Sequence, residues 1–224
     1  MILHAGVHSA VFTIKNNCPY SIAPATLTGS GAAASTTGFE LAYGDSRDIN
    51  ISAPWSGRVW ARSECSNNGG KFQCNTGDCG SGQIACNGAG ATPTTLAEFT
   101  IGDSDGKDTY DVSNVDGFNL PISIVPNGGC ETADCPVDIN AQCPTQLAQR
   151  NGAGATIGCR SACVQFGTPE YCCTGAYDTP TCPPTDYSRF FKNLCPKAYS
   201  YAKDDPSSTF TCKTGANYVI TFCP

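Results

Sequence analysis

Sixteen cysteines in a chain of 224 residues constrain this protein more than any other feature. The count is even and dense, one residue in fourteen, and thiols in that number are hard to keep reduced in a cytosol. Eight disulfides formed in an oxidising compartment are the economical reading. A chain this long can bury an adequate core without staples. The bridges are therefore expected to hold segments that bury little. Zinc clusters fit poorly: the nearest cysteines are adjacent, as Cys172 and Cys173 are, or have at least three residues between them, so no C-x-x-C pair occurs.

Both histidines, His4 and His8, fall in residues 1–9, where Val7-His8-Ser9 before Ala10 has small residues at the positions a signal peptidase reads. Residues 1–9 read as the tail of a signal peptide, and a mature chain from Ala10 would contain no histidine. Ser-His-Asp and Cys-His catalysis, histidine zinc sites and histidine pH switches are then excluded by composition. The formal charge of −6 argues against nucleic acid and against electrostatic docking on anionic membranes. No apolar run approaches the roughly 18 residues of a transmembrane helix. Neither a cofactor nor a metal is expected, and the chain is read as a secreted, extracellular monomer.

Strand and turn dominate the pattern. Ala10 to Lys15 and Asn217 to Phe222 alternate with a period of two, so both termini are expected to be strands. Frequent Gly and Pro leave little room for long helices. The exception is a stretch holding seven cysteines from Cys143 to Cys195, where Pro144 to Arg150 and Ser188 to Leu194 read as short helices. The expected organisation is mainly β: a sandwich core from residues 10–62, 94–136 and 196–224, a disulfide-rich insert at 63–93, and a second disulfide-rich insert with short helices at 137–195.

The segment Gly70-Lys71-Phe72-Gln73-Cys74-Asn75-Thr76-Gly77-Asp78-Cys79-Gly80-Ser81-Gly82-Gln83-Ile84-Ala85-Cys86 resembles the signature of plant thaumatin-like proteins, the fifth pathogenesis-related family. Trp60-Ala61-Arg62, Thr95-Leu96-Ala97-Glu98-Phe99, Val115-Asp116-Gly117-Phe118-Asn119, Glu170-Tyr171-Cys172-Cys173 and Phe222-Cys223-Pro224 extend the resemblance from Ala10 to the C-terminus. It implies an antiparallel β-sandwich with two small disulfide-rich lobes. It also implies the pairs Cys18–Cys223, Cys65–Cys74, Cys79–Cys86, Cys130–Cys212, Cys135–Cys195, Cys143–Cys159, Cys163–Cys172 and Cys173–Cys182, which spacing alone could not select.

A candidate site emerges from periodicity. Thr95 to Ile101 and Thr109 to Ser113 alternate, and the turn-rich Gly102 to Asp108 joins them as antiparallel neighbours. A turn centred near Ser104 or Asp105 sets Glu98 opposite Asp111, Cβ atoms roughly 5 Å apart, where like charges repel. Either water screens such a pair or the pair forms part of an acidic cleft. The resemblance implies the cleft, with Arg58, Glu98, Asp111, Asp116 and Asp204 as its charged set and Asp205 the rival for the last place. Arg58 is expected to hold the carboxylates through bidentate contacts.

The function so implied is that of a plant defence protein binding fungal cell-wall β-1,3-glucan, or another fungal wall glycan. An alternative reading is a weak endo-β-1,3-glucanase with Glu98 as acid and Asp111 or Asp116 as base or nucleophile. A further one is inhibition of a digestive hydrolase through surface loops. Asn50-Ile51-Ser52 is an N-glycosylation sequon. Asp103 to Asp108 resembles a calcium loop only superficially and reads as a solvated turn, while Tyr187, Phe190 and Phe191 read as core.

Overall fold

The computed structural model describes residues 9–224; the proposed signal-peptide remnant, with His4 and His8, falls outside the described residues apart from Ser9. The described residues form thirteen strands: β1 Ser9–Asn16, β2 Ala23–Gly31, β3 Ser46–Ser52, β4 Trp55–Asn68, β5 Lys71–Thr76, β6 Leu96–Ile101, β7 Lys107–Ser113, β8 Ile122–Pro126, β9 Ala133–Cys135, β10 Ala148–Arg150, β11 Thr156–Cys159, β12 Phe210–Lys213 and β13 Tyr218–Phe222. Four short helices accompany them, α1 Ala162–Phe166, α2 Pro169–Cys172, α3 Asp186–Leu194 and α4 Asp205–Ser208.

The strands make a sandwich. One sheet has the order β3-β1-β13-β8-β9, and the other runs β12-β7-β6-β4-β2 with β5 attached to β4. Pairing is antiparallel except between β1 and β13, which run parallel with Phe12 beside Tyr218. The alternation at both termini places Phe12, Ile14, Tyr218 and Ile220 inward, against Trp55, Val59, Phe99 and Tyr110 of the facing sheet. Phe12 sits at the centre, its ring 4.4 Å from Phe99 and 5.9 Å from Trp55. All eight disulfides join the cysteines that the family resemblance pairs.

The expected boundary at residue 62 cuts through a strand. β4 continues to Asn68 and turns back through β5, so the first half of the 63–93 insert is an extension of the second sheet, with Cys65 bonded to Cys74 across the hairpin. Its second half wraps a fully buried Arg62, whose guanidinium donates to the carbonyls of Ala23 and Ile84 at 3.0 and 2.6 Å. Carbonyl acceptors replace the water this charge has lost.

In the 137–195 lobe, Ser188 to Leu194 is helical within α3, capped by Thr185, whose side chain and backbone exchange hydrogen bonds with Ser188. Pro144 to Arg150 is not a helix. Leu147 closes a turn onto Pro144, and residues 148–150 pair with β11 as a hairpin whose loop, residues 151–155, is closed by the Asn151 N–H on the Ala155 carbonyl, with Gly154 left-handed at φ +82°, as longer hairpin loops with a glycine allow.

Candidate functional site

The outer face of the second sheet has two zones, both set by the alternation of β4 and β6. Trp60 and Leu96 form an apolar zone with Ala25 beneath the 63–93 insert. Beyond that cover Arg58, Glu98 and Asp111 occupy one row, for Arg58 pairs with Glu98 across β4 and β6, and Glu98 with Asp111 across β6 and β7. The turn 102–106 sets this register: Asp103 and Asp105 accept backbone N–H groups of the turn itself. Residues 103–107 are exposed, as in a solvated turn.

Asp116 joins from outside the sheets. Its segment turns sharply at Gly117, at φ +89°, where a Cβ would lie 2.6 Å from Pro93 and 2.7 Å from the Cys159 carbonyl. Only glycine fits there. Arg58 spans the group with single long contacts, Nε to Glu98 at 3.9 Å and a terminal nitrogen to Asp116 at 3.7 Å. The expected bidentate clamp is absent: the fork is shared between two acids. Gly57, next to Arg58 but on the inward face of β4, leaves room for the core ring of Trp55, which a Cβ would meet at 2.4 Å.

Two adjoining cavities, of about 370 and 350 Å³, share Arg58, Glu98 and Asp111. The first runs towards Leu27, Ser56 and Thr109, the second towards Asp116, Tyr199 and Ala202. The lobe meets this cleft at Val115 and Ala202, which also line a small cavity with Glu170 and Tyr171.

Asp204 does not join the group. Its carboxylate pairs with Lys192 at 3.0 Å and accepts from the Ser200 hydroxyl at 2.8 Å, so its charge is already matched at the base of the 196–205 segment. Asp205 instead accepts from the Tyr199 hydroxyl at 2.9 Å, and its charge acts on Asp111. The adjacent Asp204-Asp205 gave sequence reasoning no means of deciding between them; the partner on α3, Lys192, is what separates them. Tyr199 is a cleft residue that no sequence pattern indicated. Asn50 is exposed on β3, while Phe191 is buried and Tyr187 and Phe190 pack on the core edge.

The electrostatics follow from burial at the cleft floor. Asp111 is pushed up to about 8, first by desolvation and then by the Glu98 and Asp205 charges, and its Oδ1 is buried with no hydrogen-bond partner. Glu98 is also raised by desolvation, with Arg58 pulling against it and Asp116 adding to it. The net direction for opposed carboxylates beside an arginine turns on burial. The structure resolves it upwards for both, most strongly for Asp111, which has no arginine contact.

Comparison with known proteins agrees with this architecture. The thaumatin family model matches residues 16–224. This chain belongs to the thaumatin family. Among plant relatives, thaumatin-like protein 1 of Pyrus pyrifolia is 58% identical over 99% of this chain and 93% of its own length. A glucan endo-1,3-beta-glucosidase of Prunus avium is 56% identical over 98% of this chain and 92% of its own. Pathogenesis-related protein 5 of Arabidopsis thaliana is 54% identical over 95% of this chain and 90% of its own. The fold recurs at 12% identity and a TM-score of 0.64 in a laminaripentaose-producing beta-1,3-glucanase solved with laminaritetraose, over 97% of this chain and 99% of that one. Membership in this plant defence family rests on the full-length match, and the acidic row lies on the outer face of the sandwich it shares.

Proposed function

We propose that this chain is a secreted plant defence protein whose acidic cleft binds β-1,3-glucan of fungal walls. The observation that carries the reading is the row Arg58–Glu98–Asp111 with Asp116 beside it, at the floor of two adjoining open cavities. A neutral glucan offers many hydroxyl groups as donors and acceptors. Glu98 and Asp116 accept from them, Arg58 donates, and Asp111 with its proton retained donates as well. Leu27, partly exposed at the edge of the first cavity, adds apolar surface for the face of a sugar ring. Eight disulfides fit an oxidising, extracellular setting.

Weak hydrolysis is a second reading that one observation favours. A glycosidase needs one carboxyl that keeps its proton and another that is ionised, and Asp111 is held up to about 8 while Asp116 stands beside the Arg58 guanidinium. On this reading Asp111 takes the acid role in place of Glu98, with Glu98 or Asp116 as the partner carboxylate. The Prunus avium relative is named for this activity. Sedimentation with insoluble β-1,3-glucan, run beside release of reducing sugar from laminarin, tests both readings. If the cleft hydrolyses, Asp111→Asn abolishes sugar release and leaves sedimentation nearly intact. If it only binds, wild type releases no sugar and Glu98→Gln weakens sedimentation modestly. Equal sedimentation by wild type and the Glu98→Ala, Asp111→Ala double variant would overturn both.

A further inference from the structure

A second hollow, larger than either cleft cavity at about 760 Å³, shares no lining residue with the acidic cleft. It lies where Pro19–Ser21 after β1, Ser63–Cys65 of β4, Asn119–Pro121 and the lobe segments 138–140 and 155–157 meet. Its walls are chiefly apolar, from Pro19, Leu120, Pro121 and Ile157, and the ring of Tyr20 stands 46% exposed among them.

The polar groups at its rim form an unbalanced set. No Lys or Arg lines it. Glu64 is already satisfied: one oxygen accepts from Asn75 at 2.7 Å and the other from Asn151 at 2.9 Å. Asp138 uses one oxygen to hold the Asn140 backbone N–H at 3.1 Å, which fixes the carboxylate with its other oxygen available. Asn140 donates to the Asn119 carbonyl at 2.9 Å, and its Oδ1, shielded behind the same wall, has no partner. Burial, and then the nearby Asp138 and Glu64 charges, raise the Tyr20 hydroxyl from its ordinary value.

The walls are also rigid. Among the described residues three non-glycines have left-handed backbone, and two of them, Glu64 at φ 51° and Cys223 at φ 55°, line this hollow. Such conformations persist where the surroundings over-determine them, here the two asparagine contacts of Glu64 and the Cys18–Cys223 bridge. A preformed site loses little ordering entropy when it is filled.

An anion would meet two carboxylates, and a polycation would find a single available one. A molecule with an apolar face and several hydroxyl donors matches both the walls and the rim. We propose that this hollow is a second saccharide site, in which a neutral pyranose ring stacks on Tyr20 and donates to Asp138, independently of the acidic cleft. Only the choice of β-1,3-glucan as first probe rests on the reading of the cleft given above. Two contacts with one wall polymer would raise its effective affinity wherever the strand can span them.

Amide and aromatic NMR spectra of the labelled protein, titrated with laminaripentaose and with short oligomers of β-1,4-linked glucose, xylose and mannose, test this. Saturable shifts are expected at the Tyr20 ring and at residues 138–140 and 155–157 with at least one of these sugars. Tyr20→Ala should weaken that binding about ten-fold, and Tyr20→Phe should retain most of it, with an otherwise unchanged spectrum showing that each variant is folded. Absence of saturable shifts there with every sugar, or shifts with spermidine alone, would overturn the proposal. The same titration separates the two sites: signals of residues 98, 111 and 116 report the cleft, and either set can respond without the other.

Discussion

Asp111 sits further from its aqueous behaviour than any other carboxyl described here, and the sign of the consequence is fixed. Its folded value is raised from 3.8 to about 8, so the fold favours the protonated form. Its contribution to stability is full below the ordinary carboxyl range and is lost as pH rises towards 8. Glu98, also raised, acts in the same direction. Unfolding by denaturant at several pH values should show wild type losing stability relative to Asp111→Asn between about pH 4 and pH 8; a constant difference across that window would contradict the burial argument. Arg58 pulls Glu98 down, so Arg58→Ala should move the Glu98 carbon titration to higher pH, and an unmoved titration would remove Arg58 from the electrostatic group. Residues at this scale were unevenly legible. Glu98 opposite Asp111 followed from alternation and turn length alone, because both are local. The choice between Asp204 and Asp205, and the burial of Arg62 among carbonyls, depend on partners distant in the chain, Lys192 and Ile84.

Among the elements, strands with strict alternation were readable and short helices were not. Residues 10–15 and 217–222 could bury one face only as strands. Pro144 to Arg150 carries a helix-compatible composition, yet the loop 151–155, with Gly154 left-handed, turns the chain into a hairpin. The lobe is also less dependent on its bridges than its cysteine count suggests, since Ile139, Leu147 and Phe191 are fully buried in the main core. The exception is 174–184, where Cys182 is the one buried residue and Cys173–Cys182 supplies the restraint. Mild reduction followed by limited proteolysis should therefore cut first within 174–184, and a first cut in β1 would contradict this. On α3, Thr185→Ala removes the acceptor for the Ser188 N–H and should cost about 1 kcal/mol in denaturant unfolding; no change would mean that packing of Phe191 alone fixes the helix.

The molecule as a whole is closed by Cys18–Cys223, two cysteines 205 residues apart beside the parallel pair β1 and β13. In the chain-entropy model a loop of that length is worth about 5 kcal/mol, an upper figure. Replacing both cysteines by alanine should lower the unfolding free energy by up to that amount, and an unaltered value would show that the terminal strands hold without the bridge. Sheet order and the long-range bridges were out of reach of periodicity and came only with the family resemblance, since local pattern does not say which distant strand is the neighbour. The cleft exists because of this global arrangement: the 63–93 insert covers Trp60 and Leu96 and leaves Arg58, Glu98 and Asp111 open. Calorimetric titration of a β-1,3-gluco-oligosaccharide into wild type and into the Glu98→Ala, Asp111→Ala double variant tests the claim that this row is the working surface. The account predicts measurable binding by wild type and at least a ten-fold loss in the double variant, about 1.4 kcal/mol. Equal affinity in the two proteins would contradict it.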